Sequence, residues 1–452
     1  MMKKILLFIS IVACAAGCND KMPEADGDYT GLIITEVAAN ADKNRTDSWI
    51  EIYNSSSKEI ALTGLDVLVS DGGSEWEPLT IMEGKTIRAG ERLVFSTSDY
   101  GLIRGFRSDE DFEIVLGKSA TEGVVDRFSR AKDAEGKSTA RFGSYQRIPE
   151  VGGDWTVTSQ STRRIHNYDA KPTGIWVWSS HMDQWIADDF KVLKEMKQKG
   201  YDHVLLNYNA FDDPAKAPKA RQIIAAAKEV DLKIHAWMQV FRENNTWVNP
   251  IENLGNGYGR YKQEEFDRII AKANWYIDEF DVDGIHLDYV RFSGVGANLA
   301  NSNNYKDGVT AVGAITEFCR QLRNSIDSRL EGVIISAAMM PDSGPYYYGQ
   351  DAYEMGKYVD ILMPMAYRYY ANNTNSDSWF KGVCNTFANT TTTQVWPGVQ
   401  TYKHKPSSED VIGMDAASIL ADALDVKDTK CTGIVYFRFA LGEYPDMNEF
   451  WK

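Results

Sequence analysis

The chain has 452 residues, 43% of them hydrophobic and 12% aromatic, which exceeds one ordinary domain and can fill two or three packed cores. Aspartate and glutamate outnumber lysine and arginine by 64 to 49, leaving a net charge of −15. That balance excludes a nucleic-acid backbone as partner, because such binding needs a basic footprint. The acidity is otherwise ordinary for an exported protein.

At the N-terminus Lys3 and Lys4 precede an apolar run from Ile5 to Ala13, followed by Ala15-Ala16-Gly17-Cys18. Residues 1–18 therefore read as a signal peptide, too short to span a membrane. Small residues directly ahead of a Cys resemble a bacterial lipobox, with Ala15 where Leu is commoner. The resemblance implies lipidation at Cys18 and an exported protein anchored to the cell envelope, at the outer membrane or cell surface. Residues 19–29 form a polar, acidic tether. Beyond Cys14 and Cys18 there remain Cys319, Cys384 and Cys431, an odd number without metal-ligand spacing. They form neither a disulfide framework nor a zinc site, and one bridge at most.

Residues 30–168 alternate short strands with turns. Strands are expected at Leu32–Val37, Trp49–Asn54, Ile60–Leu62, Leu65–Val69, Arg92–Phe95, Phe112–Leu116 and Val124–Phe128. Their close spacing predicts an all-β sandwich. Ile34-Thr35-Glu36-Val37, then Trp49-Ile50-Glu51-Ile52-Tyr53-Asn54 and Leu62-Thr63-Gly64-Leu65 resemble the lamin-tail domain, as do Asp154-Trp155 and Asn167 near its close. The resemblance implies an immunoglobulin-like sandwich with an accessory role. Glu36 and Glu51 read as strand-face polar contacts rather than catalytic groups.

From residue 172 to 452 strands and helices alternate, which predicts a parallel sheet. The strands are expected at Gly174–Ser179, His203–Asn209, Lys233–Phe241, Asp283–Phe292, Gly332–Met339, Val359–Tyr367, Gln394–Tyr402 and Gly433–Phe439. Helices are expected at Asp183–Lys199, Lys216–Val230, Gln263–Phe280, Val309–Leu330 and Asp415–Val426. Eight such units suit an α/β fold of the (β/α)₈ TIM-barrel type, whose chemistry sits at the C-terminal strand ends. A doubly wound sheet would call for a phosphate-binding glycine pattern, and none is present.

Val282-Asp283-Gly284-Ile285-His286-Leu287-Asp288 carries the sharpest functional signal. Side chains alternate along a strand, so Ile285 and Leu287 face the helices while His286 and Asp288 face inward. Asp288, at the C-terminal end, is the first candidate for a catalytic carboxylate; Asp283, at the opposite end, caps the barrel bottom. Other inward positions are Trp176 and Trp178, Asn207 and Asn209, His235, Trp237 and Gln239, Met363, Met365 and Tyr367, and Gln400 with Tyr402. Of these, Trp178, Asn207, His235, Trp237, Gln239, His286, Tyr367 and Gln400 are candidate substrate contacts. Arg291 either holds an anionic sugar or pairs with Asp288 and lowers its pKa. The long segments after strands three to six carry Trp247, Tyr258, Tyr305, Tyr346, Tyr347, Tyr348, Tyr369, Tyr370 and Trp379. Such rings suit a carbohydrate cleft, and some of them cap the core. No His-x-His or His-Glu-x-x-His spacing supports a metal, and no cofactor is implied.

Lys233-Ile234-His235-Ala236-Trp237, the Val282–Phe292 segment and Val359-Asp360-Ile361-Leu362-Met363-Pro364-Met365-Ala366-Tyr367 resemble the glycosyl-hydrolase-like family ten barrels. The resemblance implies glycan hydrolysis with the strand-four aspartate at Asp288. Hydrolysis needs a second carboxyl group: Glu243 and Asp342 are the candidates, with Glu443 a third. A chitinase motif would have a Glu where Val290 stands, so substrate-assisted chitinase chemistry is not expected. The rival reading is a non-catalytic glycan-binding or adhesive surface lipoprotein, favoured if only one carboxylate reaches the cleft.

Overall fold

The computed structural model describes residues 27–451 apart from 40–47, 72–74, 83, 97–104, 138, 140–142, 159, 168–170, 295–304, 329–331, 343, 371–372, 392, 406–409 and 449. Cys18 and the signal and tether segments up to residue 26 lie outside the described residues.

The first domain is a sandwich of two antiparallel sheets. One runs in the order Asp154–Thr158, Ser144–Ile148, Leu32–Ala38, Trp49–Asn54, Arg92–Ser96. The other runs Glu77–Ile81, Asp66–Ser70, Glu113–Gly117, Val124–Ser129. Ile34, Ile50, Ile52, Val67, Val69, Ile114, Leu116 and Phe128 fill the space between them. Aligned sheets packed face to face are the immunoglobulin-like arrangement.

The second domain is the barrel. Its strands are β1 (Thr173–Val177), β2 (His203–Asn207), β3 (Lys233–Gln239), β4 (Gly284–Asp288), β5 (Ile334–Met339), β6 (Ile361–Pro364), β7 (Gln394–Val395, resuming at Gly398–Gln400) and β8 (Ile434–Phe437). Each neighbouring pair is parallel, and β8 returns to β1. The expected unbroken strand Gln394–Tyr402 is split at Trp396-Pro397. Proline lacks the N–H that a central strand must donate. The first half pairs with β6 and the second with β8, so the two halves close the barrel. Ile285 and Leu287 pack outward among the helices, while Trp176, Leu205, Trp237, Met363 and Val435 share the interior.

Most helices fall where expected, Gln263–Phe280 to the residue, and side chains cap several of them. Thr310 Oγ1 accepts from Gly313 N, and Asp415 Oδ1 from Ser418 N. The helix expected at Asp183–Lys199 is two, Met182–Ala187 and Lys191–Gln198. Asp189 and Phe190 between them are left-handed (φ 51° and 53°), which a helix cannot continue through. Cys319, Cys384 and Cys431 are all buried free thiols.

The sandwich sits against the N-terminal face of the barrel, and the segment joining them is part of both. Glu36 accepts from Thr162 N (2.9 Å), Thr162 Oγ1 (2.8 Å), Gln146 Nε2 (3.0 Å) and Ser144 Oγ. Glu51 accepts from Thr35 Oγ1 (2.8 Å) and Arg164 N (2.6 Å). The two glutamates thus fasten the linker, which bears out their reading as polar contacts. Beyond them Ile165 enters the barrel's interior cluster from below. Arg163 and Arg164 reach Asp360, just ahead of β6, at 3.3 and 2.8 Å. Arg323 meets the same carboxylate, and Ile335 N donates to it at 2.8 Å. Asp283, at the foot of β4, accepts from Ile234 N (2.8 Å) and so closes the bottom as expected.

The buried glutamates make the join sensitive to alkali. Burial pushes Glu36 up to about 7 and Glu51 to about 8, against the pull of their hydrogen bonds and of Arg92. Folded pKa values above the unfolded value near 4.5 mean that the contribution is full below that value and lost as pH rises through 7 to 8. Calorimetric melting should therefore weaken across that window, on the order of a few kcal/mol. Glu51→Gln should flatten the dependence; an unchanged slope would count against it.

Candidate active site

The pleat that sends Ile285 and Leu287 outward turns His286 and Asp288 into the barrel. Trp237 and Gln239 lie beside them, in register with His286 and Asp288. Above this layer the C-terminal face opens into a cavity of about 480 Å³. Trp178, Trp237, Tyr367, Trp379 and Phe437 form its aromatic walls. Asn207, Gln239, Asp288, Arg291 and Asp342 supply polar groups. Asn207 Nδ2 and Trp178 Nε1 are buried donors that meet no acceptor among the described residues.

Asp288 is partly open to the cavity. Its Oδ2 accepts from Trp237 Nε1 at 3.0 Å and its Oδ1 from Tyr289 N at 2.8 Å. Enclosure by the protein raises its pKa above the usual carboxylate value. The two donors, Arg291 and Arg242 pull the other way without cancelling that effect. Tyr289 is left-handed (φ 54°), a conformation bulky residues avoid. The turn brings Tyr289 into the cavity wall, where its hydroxyl accepts from Arg242 Nη1 at 2.6 Å.

Trp237→Phe removes one of the two hydrogen bonds to the Asp288 carboxylate. The charged form loses support, so the Asp288 pKa should rise further. Carbon-13 NMR titration of the aspartate carboxyls should show this as an upward displacement of one resonance. An unmoved titration would mean that the indole N–H does not stabilise the charge.

His286 lines the cavity, but both ring nitrogens are engaged. Trp176 Nε1 donates to Nε2 at 3.0 Å, which leaves the proton on Nδ1 to donate to Ser336 Oγ at 2.9 Å. Burial holds its pKa well below the ordinary value, so the ring is neutral. It is a floor residue with no nitrogen free for substrate.

Three expected site residues lie elsewhere. His235 sits one layer deeper, its Nε2 2.9 Å from His203 Nδ1, and burial lowers its pKa to about 3. Its ring occupies the space that a side chain at Gly284 would take; a Cβ there would come within 2.3 Å of Nδ1. Gln400 uses both ends of its amide on the backbone of Tyr369, accepting from N at 2.7 Å and donating to O at 3.3 Å. Glu243 stands exposed on a hairpin turned by left-handed Asn244 and Asn245, 3.3 Å from Arg268 on the neighbouring helix. It lines a separate cavity with Asp212 and Lys272. Glu443, the third candidate, accepts from Ala416 N at 3.1 Å and caps the helix beginning there. Of the proposed partners only Asp342 shares the cavity with Asp288.

Tyr289, Asn375 and Phe437 were not expected among the lining residues. Phe437 ends β8 and was legible from strand alternation; Asn375 belongs to a loop and carried no signal. Among the described residues no three His, Cys, Asp or Glu side chains are grouped to hold a metal ion.

Residues 27–138 match the lamin tail domain. Residues 167–379 match the family described as "Putative glycosyl hydrolase domain". No curated protein matches the chain in sequence. Among solved structures it is similar to the β-galactosidase of the psychrophilic Marinomonas ef1, at 11% identity and a TM-score of 0.39. That match covers 59% of this chain and 54% of the other, so the chain spans about half of that enzyme. A GH18 chitinase from Pseudoalteromonas aurantia aligns at 12% identity and a TM-score of 0.39, over 59% of this chain and 94% of that one. The chitinase ChiW from Paenibacillus sp. str. FPU-7 aligns at 12% and 0.42, over 96% and 41%. The chain thus carries a match to the lamin tail domain over residues 27–138 and, over residues 167–379 in the barrel, a match to this glycosyl hydrolase family.

Proposed function

We propose that the barrel hydrolyses glycosidic bonds of an oligo- or polysaccharide, with Asp288 as nucleophile or base and Asp342 as acid. The observation that carries this reading is Asp288 itself. It is a carboxylate at the C-terminal end of β4, fixed by Trp237 Nε1 and Tyr289 N, on a cavity walled by aromatic rings. Active sites of such barrels sit at this face. Ring faces suit the C–H surfaces of sugars, and the free donors of Asn207 and Trp178 suit their hydroxyls. Two carboxyl groups are what the chemistry requires, and their separation sets retention or inversion. With the signal and lipobox pattern at residues 1–18, we place the enzyme outside the cytoplasm, held to the cell envelope by lipid on Cys18.

The test is a glycan-release screen of the purified protein, without residues 1–18, against plant, host and bacterial polysaccharides. Release by wild type that Asp288→Asn loses is the expected result. Glycan binding by both proteins with no product from either would replace hydrolysis by the binding-protein reading.

A further inference from the structure

We infer that Arg291 forms a subsite for an anionic group on the sugar, so that the glycan bound here is acidic, bearing a carboxylate or a sulfate ester. The inference deepens the proposed function and rests on its assignment of the cavity to glycan.

Arg291 lines the cavity three residues beyond Asp288. Its guanidinium carbon lies 4.6 Å from the ring centre of Trp247, 5.1 Å from that of Tyr348 and 5.5 Å from that of Tyr289. Nη1 donates to Phe292 O at 2.9 Å, which fixes the plane of the group. A delocalised cation held by aromatic faces and one carbonyl keeps several N–H donors in a fixed fork, the geometry that meets a carboxylate or sulfate.

What distinguishes it is the counter-charge. Arg92, Arg147, Arg163, Arg164, Arg323 and Arg368, enclosed elsewhere, each meet a carboxylate within 4 Å. Among the described residues no carboxylate lies within ion-pair distance of Arg291. The same holds for Arg242, whose Nη1 is spent on Tyr289, and for Arg438, which follows β8 and covers Trp178 at 5.2 Å. β4 and β8 stand on opposite sides of the barrel, so Arg291 lines the cavity on one side while Arg438 lies against the wall residue Trp178 on the other. In a chain of net charge −15, cations whose nearest counter-charge is a site carboxylate beyond ion-pair distance, as Asp288 is for Arg291 and Arg242, are not expected by composition. Desolvation disfavours the Arg291 charge, as its lowered pKa reflects, and an anionic ligand would offset that cost.

A different role for Arg291 would be to steady the Asp288 carboxylate. The two roles separate in a binding experiment that needs no turnover. Affinities of polygalacturonate, its methyl ester, a sulfated galactan and neutral galactan are measured by calorimetry for wild type and for Asp288→Asn. Arg291→Gln and Arg291→Lys are prepared in both backgrounds, with melting curves to verify folding. At least one of the two acidic polymers should bind about 10–100-fold more tightly than its neutral counterpart, as expected for hydrogen bonds to a charged group. The preference should survive Asp288→Asn, collapse in Arg291→Gln, return in part in Arg291→Lys and weaken with salt. Preference for polygalacturonate assigns the anion as a carboxylate, and preference for the sulfated galactan as a sulfate ester. Equal affinity for acidic and neutral partners, no binding of either acidic polymer, or a preference unaffected by Arg291→Gln would overturn the subsite. Acid preference without any hydrolysis would keep the subsite and reject the hydrolase reading, so the two fail separately.

Discussion

Asp288→Asn should leave a folded protein that releases no measurable product. Loss of a positioned nucleophile or base lowers kcat/KM by about 10²–10⁴-fold, enough to end detection in a screen. The fold should tolerate the change because two effects oppose each other. The amide can accept from only one of the two groups that now donate to Asp288, Trp237 Nε1 and Tyr289 N. Against that loss, Asn carries no charge to desolvate. The sign follows from the raised pKa of Asp288. Its contribution to stability is full below the unfolded value of 3.8 and is lost as pH rises through the folded value. Asn removes that burden at neutral pH and has nothing to remove in acid. Melting at neutral pH should therefore stay within about 2–4 °C of wild type, with the mutant relatively weaker below the ordinary aspartate range. A folded variant that still releases product at the wild-type rate would remove Asp288 from the chemistry, and one that unfolds would overturn the balance of effects argued for its stability.

Asp360→Asn should have the largest effect on stability. Burial alone would raise this carboxyl, but Arg323, Arg164, Arg163 and Ile335 N–H together hold it below the ordinary value. All three guanidiniums are enclosed, with side-chain exposures of 1%, 7% and 4%, so none can turn to water. Removing one member of a buried ionic cluster costs about 3–5 kcal/mol, because the remaining charges stay desolvated. For a protein of this size that corresponds to a fall in Tm on the order of 10 °C. A lowered carboxyl pKa contributes stability above the unfolded value, 3.8, and loses it as pH falls through the folded value. The gap between mutant and wild type should accordingly narrow in acid. Calorimetry at neutral and acidic pH checks both points; coincident melting at neutral pH would show that Asp327, 3.2 Å from Arg164 and 3.0 Å from Arg323, suffices to neutralise those two arginines.

Alternation along strands was legible, and it carried most of the site. Trp178, Asn207, Trp237, Gln239, Asp288 and Tyr367 face the cavity as a period of two predicts, and Asp342 follows its strand into the rim. What alternation does not encode is height. His235 and Trp237 share a face, yet His235 pairs with Gly284 and lies beneath the floor, while Trp237 pairs with His286 and reaches the wall. Gln400 faces inward too, but only the break at Pro397 and the path of the loop after β6 decide that Tyr369 consumes its amide. Glu243 depended on the hand of two asparagines in a turn. In the sandwich, strand Ser144–Ile148 shows no apolar alternation because polar Gln146 and Ser144 are buried there, satisfied by Glu36. The family likeness of both domains was readable from short strand motifs and agrees with the sequence matches over residues 27–138 and 167–379.

The linker changes what counts as the barrel. A cut at residue 168 or 172, where the pattern of strands changes character, would leave Ile165, Arg163 and Arg164 with the sandwich and strip the barrel floor of its plug and two of its three cations. The physical unit that can be moved between proteins thus begins near Gln160, whose amide already bonds to Ala388 O on the barrel side. A barrel excised there takes its own floor with it, whereas a sandwich excised with its full tail exposes Glu36 and Glu51 only if that tail frays. Recombination at this seam, in the laboratory or in evolution, has to carry the tail with both domains: the barrel loses its plug without it, and the sandwich loses the Thr162 and Arg164 donors of its buried Glu36 and Glu51.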